Sequence, residues 1–301
     1  KKSTLAKEES TWTTHLARRW GSTVITDVTR PSVRLWVADM TKDGAQAATV
    51  ENALGMLRMV MDSAVEGFRL VRNPCDGVKP PRRKHADRGY LTYGQVRSLA
   101  KQLAVQPVAV RGGVKMMVRP QHELVAELLA FTGLRWGEMA ALKVRSIDLR
   151  RRRIQVSEAV AEVRGHLVWS TPKGHERRSV PFPEFLLAPL KAQTDGKARD
   201  DLVFTSKAGT VLRVSRFRPY VFAPAVERCR AADPLFPIIT PHDLRHTAAS
   251  LAISVGANVK AVQTMLGHKS AALTLDTYAD LFPDDLDAVA SALNRLADGA
   301  R

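Results

Sequence analysis

Apolar residues recur at three- and four-residue spacing through Thr49, Leu54, Leu57, Val60, Met61, Ala64 and Phe68, and a shorter stripe of Val33, Trp36 and Val37 runs through Pro31 to Met40. That period belongs to helices with one buried face. Residues 1 to about 78 therefore read as an all-helical unit whose methionines and aromatics form its core, and Asn73-Pro74 stops its last helix. The helical period returns after Leu91, where Thr92 is placed to cap a helix running to about Leu103. Pro120 to Phe131 follows, with Leu124, Leu128 and Phe131 inward. Between Ile147 and Phe182 the period drops to two. Arg153 to Val156, Val163 to Trp169 and Ser179 to Phe182 predict a three-stranded antiparallel sheet. Helices resume at Glu184 and again from Arg216 to Cys229. The predicted class is mainly α with a small antiparallel β-sheet, with neither an internal repeat nor a low-complexity tract.

At 301 residues the chain is long enough for two domains. The pattern divides it into a helical domain over 1–78, a basic linker over 79–89, a second domain over 90–283 and an amphipathic tail helix over 284–301 that carries Leu286, Val289, Ala290, Leu293 and Leu296. Lys and Arg number 46 against 30 Asp and Glu, a net charge of +16. Such an excess favours a polyanionic partner, although ribosomal and inert basic proteins share it. The linker, Lys79-Pro80-Pro81-Arg82-Arg83-Lys84, is stiff and extended enough to track a phosphate backbone; a merely solvated linker reads equally well. Arg150, Arg151, Arg152 and Arg153 are a solvated face by the usual meaning of a charge run, but they also suit phosphate contact at a sheet edge. Cys75 and Cys229 lie far apart with no CxxC, as two reduced thiols of a cytoplasmic protein would. No apolar run has the length of a membrane span, and no signal peptide is recognisable. The chain opens on Lys1, as a fragment of a longer protein would.

Candidate chemistry concentrates between Thr240 and Tyr278. Arg245 follows His242 by three residues in a helix that Pro241 opens, so the two share a face, whereas His246 is expected to point away and serve structure. Gly256-Ala257-Asn258 breaks the helix, a shorter one spans Val259 to Leu266, and Gly267 ends it just before His268. Tyr278 comes ten residues later, with apolar spacing at Leu273 and Leu275. Upstream, Arg135 stands in TGLRWGE at the start of a short helix that contains Glu138, and Lys173 stands in a Pro-Lys-Gly turn between strands with His175 beside it. Taken singly these residues have ordinary roles: Tyr278 in a core, His268 at a helix end, Arg135 paired with Glu138 at i, i+3. Together, two guanidinium groups, imidazoles and a phenol are what a phosphodiester needs around it if tyrosine is the nucleophile.

Arg135, Lys173, His242, Arg245, His268 and Tyr278, in this order and with these neighbours, resemble the tyrosine recombinases, the phage integrase family. The resemblance covers essentially the whole chain. It implies a helical core-type DNA-binding domain and an α+β catalytic domain that together clamp a duplex. The implied activity is site-specific cutting and rejoining of DNA through a 3′-phosphotyrosyl link, without ATP, metal or another cofactor. The implied partners are double-stranded attachment sites, three further copies of the chain in a homo-tetramer on two DNA sites, and a DNA-bending accessory protein; the tail helix would dock on a neighbour or on its own domain. The implied place is the cytoplasm of a bacterial or phage-infected host, on the nucleoid.

A free phenol ionises near pH 10, so the nucleophile needs its proton taken and its charge stabilised. Arg135 and Arg245 suit a two-point clamp on phosphoryl oxygens, and His268 adds a third hydrogen bond. His242 is the candidate for accepting or orienting the phenolic proton, and Lys173 is the general acid for the departing 5′ oxygen. Glu138 is expected to be a structural partner of an arginine or of His242, and His175 a solvent or DNA-backbone contact. Three rival readings compete with this one. A zinc helix has His242 and His246 at i, i+4, but Asp243 stands where HExxH has Glu. A DNA-binding regulator that cleaves nothing has no use for the complete set. A type IB topoisomerase shares the chemistry and lacks strand exchange.

Overall fold

A computed structural model describes residues 2–82, 89–110, 113–171 and 177–281 of the chain. It divides into two compact units, Lys1–Asp87 with Glu162–Val168, and Arg88–Ala161 with Trp169–Arg301.

The first unit is helical apart from the Glu162–Val168 segment. α1 (Lys2–Thr11) passes through a wide turn into α2 (Ala17–Trp20), and α3 (Arg30–Lys42) and α4 (Ala47–Glu66) complete it. α3 starts where Thr29 and Ser32 cap one another, the Ser32 N–H donating to Thr29 Oγ1 at 3.3 Å and the Thr29 N–H to Ser32 Oγ at 3.0 Å, with Pro31 in the first turn. The two apolar stripes meet as expected: Val33, Trp36 and Val37 pack with Val50, Leu54, Leu57 and Met61. Trp20 adds an edge-to-face contact with Trp36 at 5.7 Å. Phe68 departs from the expectation and is 98% exposed, because α4 ends at Glu66 and a positive φ of 55° turns Phe68 away from the stripe. Asn73 does not stop the helix, which Gly67 ends, but pins the loop after it: its side-chain amide donates to Arg58 O and Asp62 Oδ1, and its Oδ1 accepts from Cys75 N.

The second unit is built on α6 (Pro120–Thr132), buried on nearly all sides and packed by α5 (Tyr93–Ala104) and α11 (Asp243–Ser254). Thr92 caps α5 with Gln95 as its reciprocal partner. Between α5 and α6, β1 (Val105–Val110) and β2 (Gly113–Val118) pair antiparallel, with Val105 opposite Val118. No period-two signal foretold this hairpin, since Pro107 interrupts its first strand. α7 (Trp136–Ala140) leads to a three-stranded sheet in the order β3 (Ile147–Asp148), β4 (Arg153–Val156), β7 (Arg178–Pro181). The expected middle strand, Val163 to Trp169, is not part of it. β5 (Ala159–Val163) and β6 (His166–Ser170) pair only with each other, because Arg164 and Gly165, both at positive φ, form a two-residue turn that folds the segment back on itself. α8 (Leu187–Thr194), α9 (Val214–Phe217) and α10 (Ala223–Ala232) follow. After α11 come α12 (Val259–Leu266) and α13 (Ala271–Tyr278). The class is mainly α with small antiparallel sheets.

Both cysteines are buried and free. Burial pushes each thiol up to about 11, so both stay protonated and inert. Among the described residues no helix is long and apolar enough to cross a membrane.

Candidate active site

The arginine side of the site is assembled by two left-handed glycines. α6 ends at Gly133, at φ 65°, where a Cβ would also lie 2.6 Å from Leu266 Cδ2, so a side chain there meets both strain and a clash. The turn delivers Arg135 to the start of α7, where Glu138 accepts from the Arg135 backbone N–H and from its Nη1, both at 2.9 Å. Arg178, the first residue of β7, closes on the same carboxylate: its Nη1 donates to Oε1 at 2.9 Å and its Nη2 to Oε2 at 2.6 Å. Glu138 is 1% exposed. Burial alone would push its carboxyl up, but the hydrogen bonds and charge of Arg178, with those of Arg135, outweigh it and hold the group below its ordinary value. Gly267, the second left-handed glycine, ends α12; a Cβ on it would stand 2.9 Å from Arg178 Cδ, and its carbonyl accepts from Arg135 Nη2 at 3.4 Å.

Arg245 rises from α11 and is 4% exposed. Its Nη1 donates to Gly133 O at 2.5 Å and its Nη2 to Leu266 O at 2.6 Å. Carbonyls satisfy donors without cancelling charge. Burial, and then the like charge of Arg135, lower Arg245 to about 9, so it remains a cation at neutral pH.

The tyrosine side comes from α12, α13 and the turn between them. His268 follows Gly267; its N–H donates to Gln263 O at 3.1 Å, and its Nδ1 lies 2.9 Å from Oγ1 of the buried Thr274. Burial, and then the charges of Arg245, Arg135, His246 and Arg178, lower its imidazole to about 4, so it is neutral at physiological pH. Ser270 caps α13 by accepting from Leu273 N. Tyr278 ends that helix, 2% exposed, with its ring parallel to that of His268 at 6.4 Å and its hydroxyl 2.8 Å from His246 Nδ1. Leu273 and Leu275, expected to share its apolar face, are instead 46% and 41% exposed.

Arg135, Glu138, Arg245, His268 and Tyr278 are thus brought into one cluster. The charges of both arginines bear on His268, and that of Tyr278 bears on Arg245. His242 lies at the start of α11, exposed, with its ring edge-on to His246 at 5.3 Å. Lys173, His175, Arg83, Lys84 and the 284–301 tail lie outside the described residues. Lys79, Arg82 and Arg150 to Arg153 are exposed. Arg152 carries an ion pair with Glu184 at 2.9 Å.

Two residues of the cluster escaped the sequence reading. His246 was expected to point away; a helix advances about 100° per residue, which leaves i and i+4 within about 40° of each other, and His246 therefore shares the His242 side of α11 and reaches the phenol. Arg178 had a legible signal. It is two residues from the buried Val180 on the same strand face, and a cation on a core-facing strand position requires a buried partner. Among the described residues no three His, Cys, Asp or Glu side chains gather as a metal ion would require.

Residues 114–284, more than half of the chain, match the model of the phage integrase family. By that match the chain belongs to the phage integrase family, the site-specific tyrosine recombinases. The tyrosine recombinase XerC of Vibrio vulnificus is 26% identical over 248 residues, covering 79% of this chain and 69% of that protein. The ICEBs1 integrase of Bacillus subtilis is 26% identical over 293 residues, covering 94% and 75%. In fold, the chain is similar to a Tn1549 transposon integrase fragment solved in complex with a circular intermediate DNA, with a TM-score of 0.80 at 21% identity over 98% and 94% of the two chains. It is also similar to a lambda integrase tetramer bound to a Holliday junction, with a TM-score of 0.64 at 18% identity over 94% and 72%.

Proposed function

We propose that this recombinase cuts attachment-site DNA with Tyr278. The phenolic oxygen attacks the scissile phosphorus, forming a 3′-phosphotyrosyl bond as the bond to the 5′ oxygen breaks, and a partner strand's 5′ hydroxyl reverses the step. One ester replaces another, so no external energy source enters. The observation that carries this reading is the position of the Tyr278 hydroxyl within the electrostatic field of Arg245, beside His268. Arg135 and Arg245 clamp the non-bridging oxygens, and their preorganised charge is worth more here than in water. His268, neutral and tied through Nδ1 to Thr274, donates from Nε2 to the same group. Lys173 protonates the departing oxygen, and Glu138 orients the arginines.

Lys79, Arg82, Arg83, Lys84, Arg150, Arg151, Arg152, Arg153 and His175 are proposed backbone contacts, and the first unit the core-type DNA-binding half of a clamp. Four protomers on two sites, with residues 284–301 docking between neighbours and a DNA-bending protein assisting, complete the reading. The decisive experiment offers nicked attachment-site substrates, which trap the covalent complex, to the native protein and to Tyr278→Phe. The variant is expected to bind DNA normally and to yield no adduct on denaturing gels. An adduct would move the nucleophile to Tyr90, Tyr93 or Tyr220. Relaxation of a plasmid without attachment sites by a monomer would favour a topoisomerase instead.

A further inference from the structure

Tyr278 is 2% exposed, so bulk water is a poor recipient for the proton its hydroxyl must lose. The guanidinium group of Arg245, whose field reaches the phenol, is a donor only and accepts no proton. His268 is an imidazole, but its Nδ1 is engaged by Thr274, and His242, the acceptor expected from the sequence, is exposed at the start of α11 with its ring edge-on to that of His246. His246 presents Nδ1 to the phenolic oxygen at 2.8 Å, a distance at which a proton passes without movement of either ring. Its neighbour in sequence, Arg245, is anchored to two carbonyls. The same rigid turn of α11 therefore carries a clamp for the phosphate and the imidazole for the nucleophile.

We propose that His246 is the proton acceptor for the attacking phenol. The inference rests on the reading of Tyr278 as nucleophile. As the bond from the phenolic oxygen to phosphorus forms and the bond from phosphorus to the 5′ oxygen breaks, the phenolic proton moves to Nδ1 of His246, which accepts it in the form whose hydrogen sits on Nε2. The 5′ oxygen takes its proton from the general acid. In rejoining, the incoming 5′ hydroxyl gives up its proton to that acid, and His246 returns its own to the departing phenolate. His246 ends each cycle in the form in which it began, and each strand transfer balances.

The test measures single-turnover formation of the covalent complex on nicked substrates by the full chain, with DNA affinity and melting temperature recorded on the same samples. A positioned general base is worth about 10²- to 10⁴-fold, so His246→Gln is expected to slow the reaction at least about 100-fold while affinity holds. Replacing Tyr278 with a fluorinated tyrosine, whose phenol ionises at lower pH and depends less on a base, is expected to restore most of that loss in the His246→Gln protein. A purely structural role for His246 would not respond to the phenol's acidity. His246→Asn, smaller and still able to hydrogen-bond, serves if the Gln variant fails to fold. Cleavage within about threefold of native in a folded variant, or a loss that the fluorinated phenol leaves unrepaired, overturns the proposal. Tyr278→Phe run in parallel separates the two failures: an adduct there removes the nucleophile assignment, whereas no adduct there with unimpaired His246→Gln removes the base alone.

Discussion

The two halves of the site are held in different ways. On the arginine side, one buried carboxylate accepts four hydrogen bonds, Arg245 is fixed to two carbonyls, and two left-handed glycines set the turns that bring these groups together. On the tyrosine side, an eight-residue helix is anchored by Thr274 and Tyr278, four apart, with Leu273 and Leu275 outward. Preorganisation lies where charge must be stabilised, since donors that need no rearrangement lower a barrier most. Tyr278, the proposed nucleophile, sits on the more lightly attached element.

The largest expected effect is on the arginine side. Arg245→Lys keeps the charge but loses the fork that bonds two carbonyls at once and, in the proposed reaction, clamps the phosphate. Removal of a preorganised donor costs about 10²- to 10³-fold in rate, so covalent-complex formation should fall by at least that much in single-turnover assays. Equal rates for the two proteins would show that a point charge suffices.

Arg178→Met should act on stability. Removing one partner of a buried ion pair leaves an uncompensated charge at a cost of about 3 to 5 kcal/mol, softened here because Arg135 still faces Glu138. Denaturant unfolding should show a loss of about 2 to 4 kcal/mol. The tyrosine-side counterpart, Thr274→Val, removes one neutral hydrogen bond and should cost only about 1 kcal/mol. If the two losses match, the contrast between the halves is wrong.

The acid limb of stability sharpens the same contrast. The folded value of His268, about 4, lies below its ordinary 6.5, so the unfolded chain binds the extra proton in between. Its contribution is therefore complete above about pH 6.5 and fades as pH falls towards 4. Glu138, also depressed, contributes above the ordinary carboxylate value of about 4.3 and loses that contribution as pH falls further. His268→Asn should flatten the upper part of the limb and leave the lower part. His122, buried in the same unit and likewise lowered to about 4, contributes in the same window. The His122→Asn protein supplies the comparison.

Most of the site was legible in the chain because caps and turns are local. Pro120, Gly133, Asn258 and Gly267 mark helix ends wherever the rest of the molecule lies. The helical period in turn found the stripes of α3 and α4. What escaped was non-local or depended on phase. The β5–β6 hairpin followed from its own turn, while the sequence shows only that strands exist and not which pair. Arg178 meets Glu138 across 40 residues, and no spacing rule links them. The i, i+3 spacing links His242 to Arg245, yet His246 at i+4 lies closer still to His242 in angle.

The smallest expected effect concerns charge outside the site. Lys79 and Arg82 are exposed at the end of the first unit, and a phosphate contact made by each would release one condensed counterion. The slope of log affinity against log salt should then become shallower by about 0.9 for each contact removed. Lys79→Ala with Arg82→Ala should lower the slope by up to about 2, while the ratio of affinities for cognate and scrambled sites stays unchanged, since backbone contacts position without reading sequence. Arg152→Ala offers an internal control, because that guanidinium is already paired with Glu184 and should shift the slope less. A double variant with the native slope would turn these charges towards solvent. A changed site ratio would mean that the linker reads bases.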